Sequence, residues 1–390
     1  MINCITTKYK EKIYVANWML AITIAFVFLC NSRHLGINYY MPIMLPAMLI
    51  SFLSLFVQKI KLRVEHFCIL ILILLTVIHL NNSIEYLDDS KVIFSQTILL
   101  VFFMLFSLNK INIRGLKLLA NSFIFCSVIF SFMIFIIPYD YGGGHYSIRT
   151  FIGTHNALDP NYLAACIAIA TPILLKRVIY PQNKQYRLLY IILLIIILLG
   201  LLMTGSRSAV VAFVFGFFVL AIKDKKKIFI ALIFMGILSI VMLYLLPQDI
   251  QDRLFYKSYI DGSNIRRVQL WETTIDKILE KPMIGYGPIS TKMIVSGYNV
   301  TGATHNTFLM ILLNFGLFGF VAFLIIYFKI FILCLNKDMY LFLAIFINLS
   351  FTSFIISNNI SIFFWTTLVF LIMAGNYKMD HPEVTLWDKI

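Results

Sequence analysis

The feature that most constrains this chain is a series of long apolar runs that carry few charged residues. Leu188 to Met203, for example, is a run of sixteen residues without a charge. An α-helix needs about 20 apolar residues to cross a hydrocarbon core of about 30 Å. Because that core offers no water, each run must satisfy its own backbone hydrogen bonds, and a helix does so. We therefore expect an integral membrane protein that crosses the bilayer many times.

The composition agrees with this expectation. Apolar residues make up 61% of the chain and charged residues 13%, whereas about 25% of a soluble domain is charged. The runs predict an all-α polytopic protein with about twelve transmembrane helices in a single membrane domain, 1–390. Eleven or thirteen helices also fit, because two of the runs are short. The predicted spans are 13–31, 37–57, 66–80, 92–108, 118–137, 160–175, 188–204, 208–222, 228–246, 306–333, 339–357 and 360–374.

The distribution of Lys and Arg predicts how these helices are oriented. Short cytoplasmic loops carry an excess of positive charge, and every second loop of this chain does so while the facing loops carry little. Both termini are then cytoplasmic, and 247–305, between the ninth and tenth helices, is one large external loop. The basic segments are "KYKEK", "KIKLR", "NKINIRGLK", "KRVIYPQNKQYR", "KDKKK", "NKD" and the C-terminal tail.

The net charge is +14 at pH 7. We expect membrane lipids to be the partner of the basic residues, because anionic headgroups attract cytoplasmic Lys and Arg. A nucleic-acid site would need these residues clustered on one surface, whereas they are scattered over seven segments. We therefore expect no nucleic-acid partner.

An arginine lies between two uncharged runs, in "TGSRSA" at 204–209. Gly205 and the two serines allow a tight turn that leads into the next helix, and a helix N-terminus attracts anions through its unpaired N–H groups. The guanidinium of Arg207 adds a fork that matches two phosphate oxygens. The alternative is that Arg207 only extends to the membrane interface.

The large external loop contains "SNIRRVQLWETTIDKILEKPMIGYGPIS" at 263–290, in which apolar residues repeat at helical spacing. This pattern predicts an amphipathic helix along the membrane surface. Arg267 and Trp271, four residues apart, would lie on nearly the same side. Trp271 is equally typical of the interfacial belt, and Arg266 and Arg267 could be ordinary surface charges.

The loop ends in "ATHNTFLMILLNFGLFG" at 303–319, which places His305 and Asn306 where a helix enters the bilayer. Histidine exchanges a proton near neutral pH, so His305 is a candidate base. The alternative is that Thr304 or Asn306 caps the helix and His305 has no chemical role. The glycines that follow indicate close helix packing rather than chemistry.

A second external stretch, "PYDYGGGHYSIRTFIGTHNALDPNYL" at 138–163, supplies two further candidates, Arg149 and Asn161. Asp159 and Pro160 fit the start of a helix. Arg149 is explained equally well as a solvated loop residue.

Together these motifs resemble the O-antigen ligase and O-antigen polymerase family of bacterial membrane glycosyltransferases, over roughly 160–320. Members carry an arginine after a small-residue turn, Arg-x3-Trp in the loop, a Pro and Gly-x-Gly ending, and His-Asn at the next helix. Asn314 departs from the pattern, since members often have an acidic residue there, and a role for that acid is in doubt here. The matching residues are Arg207, Arg267, Trp271, Pro282, Gly285, Gly287, His305 and Asn306.

The resemblance implies transfer of a glycan from undecaprenyl diphosphate to an acceptor sugar hydroxyl at the periplasmic face of the inner membrane. Arg207 and Arg267 would stabilise the diphosphate, and His305 would accept or orient the acceptor proton. The sequence has no Asp-x-Asp motif, so we expect a metal-independent enzyme without a cofactor. The expected substrate-binding residues are Arg149, Arg266, Trp271, Asn306 and Asn161.

Two activities of the family compete, and a transporter is the rival from another class. A polymerase joins lipid-linked repeat units, and a chain-length regulator is then an expected partner; a ligase transfers the finished glycan to lipid A-core. The wealth of Ile, Phe, Lys, Asn and Tyr is typical of AT-rich polysaccharide gene clusters and favours the polymerase. A lipid-linked oligosaccharide flippase would need ionisable groups at mid-depth, where this chain has few.

Overall fold

The structure is a computed structural model of the 390-residue chain. It describes residues 14–27, 36–80, 87–136, 139–140, 147–149, 157–158, 160–223, 263–288, 304–357 and 361–390, together with six single positions between 229 and 251. His155 and Asp159 lie outside the described residues, as does most of the ninth predicted span.

Helices make up nearly all of the described chain. Two short 3₁₀ turns of the described chain, Lys184–Tyr186 and Lys337–Met339, each lie directly before an α-helix. The helices are α1 (Val15–Ala25), α2 (Gly36–Leu55), α3 (Val64–Leu80), α4 (Leu87–Leu108), α5 (Ile113–Ile136), α6 (Pro160–Ile179), α7 (Arg187–Met203), α8 (Arg207–Ala221), α9 (Ser263–Glu280), α10 (Thr307–Cys334), α11 (Tyr340–Ile355), α12 (Ile362–Asp380) and α13 (Leu386–Lys389).

These helices confirm a polytopic helical architecture. In the described parts of the chain, six are long and apolar enough to cross a bilayer, and five shorter ones are also apolar. They coincide with eleven of the twelve predicted spans, with ends shifted by a few residues. The count of twelve stays a prediction, as do the single domain and the extent of the external loop at 247–305.

The structure also contains a small antiparallel sheet, which the all-α prediction did not include. Its strands are β1 (Tyr139–Asp140), β2 (Ser147–Arg149) and β3 (Ala157–Leu158), in the order β1-β2-β3. Ile148 on the central strand pairs with Tyr139 on one side and Leu158 on the other. Strands of two or three residues are too short to produce an alternating pattern, so the sequence did not reveal them.

Helix α6 is almost entirely buried and packs against α5, α7, α8 and α11. Asn348 of α11 donates its amide to the carbonyl of Ala168 on α6 at 2.7 Å. On α8, a Cβ at Gly216 would lie only 2.2 Å from the Asn348 side-chain oxygen. Small residues thus let three helices approach closely. Asn161, Arg207 and Ser357 lie at or next to the ends of these three helices.

Candidate active site

Arg207 is the first residue of α8, whereas the sequence placed it in the turn directly before a helix at 208–222. Gly205 before it has φ 61°, a left-handed conformation that favours glycine. Ser206 is the N-cap residue, yet its side chain does not cap the helix, because its hydroxyl donates to Asn161 at 3.0 Å. In the described part of the chain, the half-buried side chain of Arg207 has no hydrogen bond or ion pair. An uncapped helix N-terminus and a guanidinium together can bind an anion.

The start of α6 connects this turn to the end of α11. Asn161, predicted as a site residue, accepts the Ser206 hydrogen bond. Its neighbour Tyr162 donates its hydroxyl to the carbonyl of Ser357, just after α11. The sequence reasoning missed Tyr162 and Ser357. The polar letters "SNN" between two apolar helices were the available signal for Ser357.

His305 lies in a turn directly before α10 and has φ 50°. Apart from glycines, no other described residue has a positive φ. Such a conformation costs on the order of 1–3 kcal/mol and persists only when the surroundings hold it. Thr304, which is buried, contacts the Ser357 hydroxyl at 2.9 Å and donates to the Asn306 carbonyl at 3.1 Å. The turn is therefore held from both sides of His305.

Asn306 caps α10, since its side-chain oxygen accepts hydrogen bonds from the backbone N–H groups of Phe308 at 2.9 Å and Leu309 at 3.1 Å. The capping interpretation of Asn306 is confirmed. Its predicted contact with substrate stays a prediction. The side-chain oxygen already accepts two backbone hydrogen bonds from the helix.

Helix α9 contacts the same turn. The indole N–H of Trp271 donates to the carbonyl of Thr304 at 2.7 Å. Arg267, one turn earlier, is half-buried like Trp271, so both lie on the side that faces α10, as their spacing predicted. For Arg266 the structure describes the backbone alone, and the same holds for Arg149, which lies at the end of β2 opposite Ala157.

The apolar residues of α9 form two stripes rather than the single face that the sequence suggested. One stripe packs on Met310 and Leu313 of α10; the other is exposed, as expected for a helix that rests on lipid. The sequence pattern could not separate them, because both repeat with the helical period. The buried stripe contains Leu270, Thr274 and Ile278, and the exposed stripe contains Ile265, Val268, Ile275 and Leu279.

The segment Pro282–Gly287, after α9, docks into a break in α10. Gly316 has φ 60° inside that helix, and a Cβ there would lie 2.3 Å from the carbonyl carbon of Met283. Four backbone hydrogen bonds of 2.8 to 3.2 Å join the segment to Leu313, Asn314, Leu317 and Phe318. The glycines thus permit close backbone approach between α10 and this segment, whereas the sequence indicated close packing between helices. His79 of α3, which the sequence did not indicate, contacts the Ile284 carbonyl at 3.0 Å.

These contacts place the predicted residues at one end of the bundle. One hydrogen bond joins Ser206 to Asn161, and the adjacent Tyr162 bonds to Ser357. Ser357 in turn bonds to Thr304, and Thr304 bonds to Trp271. Arg207, His305 and Arg267 lie within one turn of members of this series. The arrangement combines cations, a helix N-terminus and a titratable imidazole, which suits a reaction with an anionic leaving group.

Comparison with known proteins identifies this region. Residues 192–324, which include α8, α9 and the start of α10, match the O-antigen ligase family. This part of the chain is therefore similar to O-antigen ligases. The matched region contains Arg207, Arg267, Trp271 and His305, whereas Asn161 precedes it.

Two relatives extend the likeness beyond residues 192–324. A candidate polysaccharide ligase of Rickettsia typhi is 26% identical over 258 residues, 62% of each chain. One of Rickettsia conorii is 25% identical over 272 residues, 65% of this chain and 62% of the relative. The matched region thus spans 62% of the length of these relatives.

Proposed function

We propose that the chain is a glycosyltransferase that moves a glycan from undecaprenyl diphosphate to an acceptor hydroxyl. The observation that carries this proposal is the hydrogen-bonded series that joins the Arg207 turn to the His305 turn at one end of the bundle. It brings an anion-binding helix end and a candidate base into one polar region of an otherwise apolar protein.

Arg207 and the N-terminus of α8 would bind the diphosphate, with Arg267 as the second cation. Negative charge grows on the diphosphate as the glycosidic bond to it breaks, and fixed cations stabilise that charge most in a site that excludes water. Each such donor contributes on the order of 3 kcal/mol to the transition state, or about a hundredfold in rate. We propose that these arginines replace a divalent metal.

His305 would act on the acceptor. Its imidazole accepts the hydroxyl proton while the hydroxyl oxygen attacks the anomeric carbon, and the electron pair of the broken bond leaves with the diphosphate. The strained conformation of His305, held by Thr304, supports a functional role. A general base contributes about 10²- to 10⁴-fold.

The acceptor distinguishes two functions, and we propose ligation to lipid A-core as the first. Both the matched family and the two relatives are named as ligases. The amino-acid composition favours the second candidate, polymerisation onto another lipid-linked unit. In both cases the site faces the periplasm and the termini lie in the cytoplasm, as the Lys and Arg distribution predicts.

Proteoliposomes that contain purified protein and undecaprenyl-diphosphate glycan test the proposal. Glycan attached to added lipid A-core supports the ligase, and a longer lipid-linked glycan identifies the polymerase. EDTA should leave the rate unchanged; a loss that added Mg²⁺ or Mn²⁺ restores would refute metal independence. Movement of the intact donor across the vesicle without a new glycosidic bond would identify a flippase instead.

A further inference from the structure

A second charged region lies at the opposite end of the bundle, where the last turn of α6 meets α13. Lys176 and Arg177 are only 1% and 8% exposed. The Lys176 ammonium lies 5.7 Å from the centre of the Trp387 ring, and the Arg177 guanidinium lies 5.5 Å from that of Tyr190. Lys223 lies 5.7 Å from the same Trp387 ring. These five residues define what we call the α6–α13 pocket.

The two buried cations have no anionic partner. Across the described chain, no hydrogen bond or ion pair within 4.0 Å involves the side chain of Lys176 or that of Arg177. Burying a charge without a partner is costly, and other cations at this end avoid it. The paired cations are Arg63 with Asp380, Lys329 with Glu65 and Lys378 with Asp338.

Neighbouring groups increase the positive charge of the pocket. Lys117 lies within electrostatic range of Arg177 and Lys389, and Asp388 is the acidic side chain within range of Lys176. The C-terminus of α6 contributes only about half a negative charge. The cation–π contacts are near the outer limit of about 6 Å and compensate weakly. The described side chains therefore leave the positive charge of the pocket largely uncompensated.

We propose that the α6–α13 pocket binds the phosphate group of an anionic phospholipid. Lys176 lies at the end of a 19-residue apolar span, which places it at the depth of the headgroups, and the buried indole of Trp387 is typical of that interface. Arg and Lys together suit a phosphate, and basic pockets between membrane helices recognise such headgroups. This proposal does not depend on the glycan-transfer activity.

Titration of the purified full chain in neutral detergent, followed by native mass spectrometry, tests the pocket. The added probes are phosphatidylglycerol, phosphatidylcholine and inorganic phosphate. We expect phosphatidylglycerol to bind, and to bind at least about tenfold more weakly to the double variant Lys176→Gln, Arg177→Gln. The matched control is Lys184→Gln, Arg187→Gln, which removes the same charge from exposed positions in the 3₁₀ turn before α7 and at the first residue of α7 and should bind as the wild type does.

Each of the following results would overturn the proposal. If the control variant weakens phosphatidylglycerol binding as much as the double variant does, the lipid is attracted by the overall positive charge and not by the pocket. If phosphatidylcholine binds as tightly as phosphatidylglycerol, the pocket has no preference for an anionic headgroup. Binding of inorganic phosphate that excludes phosphatidylglycerol would identify a free phosphate as the ligand. If the double variant does not fold, Lys223→Gln at the exposed edge of the pocket replaces it; undiminished binding by that variant would also overturn the proposal.

Discussion

Replacing Trp271 by phenylalanine tests whether α9 positions the His305 turn. The change keeps an aromatic ring on α9 but removes the indole N–H that donates to the Thr304 carbonyl at 2.7 Å. Because Thr304 is buried, its carbonyl would lose its partner away from water, at a cost of about 1–3 kcal/mol. If that cost shifts the turn away from its reactive geometry, the rate falls by about 5- to 150-fold.

The assay is the rate of glycan transfer at saturating donor, with donor binding measured separately by equilibrium titration. Donor binding should change little, because the loss falls on the turn that orients the acceptor. Trp18→Phe on α1 is the matched control, since that indole is 48% exposed, and it should leave the rate unaltered. A rate for Trp271→Phe within twofold of the wild type would refute the reasoning. If only Trp271→Ala were then impaired, the ring itself would be contacting substrate.

Three further predictions concern the diphosphate, the base and the break in α10. Arg207→Ala should lower the transfer rate about a hundredfold, and Arg207→Lys should not restore it, since an ammonium lacks the planar fork; full activity at equal expression would contradict this. His305→Ala should lose at least a hundredfold while donor binding persists, and His155→Ala should be far milder; the reverse ranking would place the base in the other loop. Gly316→Ala should lower the thermal midpoint by several degrees, because its Cβ would meet the Met283 backbone at 2.3 Å. Gly236→Ala, where a Cβ meets nothing within 4 Å, is the control, and equal midpoints would show that the break tolerates a side chain.

Much of the helical layout was predictable because the bilayer itself imposes it. A run such as 188–203 must be helical at that length and hydropathy, and α7 is found at Arg187–Met203. The small residues before Arg207 and the asparagine after His305 indicated where helices begin, and both helices begin there. These are local rules that act within a few residues.

The missed residues all depend on contacts between distant parts of the chain. Tyr162 and Ser357 are 195 positions apart, and His79 and Ile284 are 205 apart. Nothing in either local sequence indicates the other, because many apolar helices could pack beside each other with similar burial. The two apolar stripes of α9 were hidden for the same reason, since one faces α10 and the other does not.

The sequence by itself therefore determined the membrane class, the extent of most helices and the identity of the main candidate residues. The length of the apolar runs and the residue types in the turns suffice to predict these features. In a membrane, a helix is the only way for such a run to satisfy its backbone hydrogen bonds. Only the tertiary structure decided that the Arg207 turn and the His305 turn share one hydrogen-bonded end of the bundle. That outcome depends on which helices are neighbours, and neighbour choice rests on side-chain packing and single buried polar contacts.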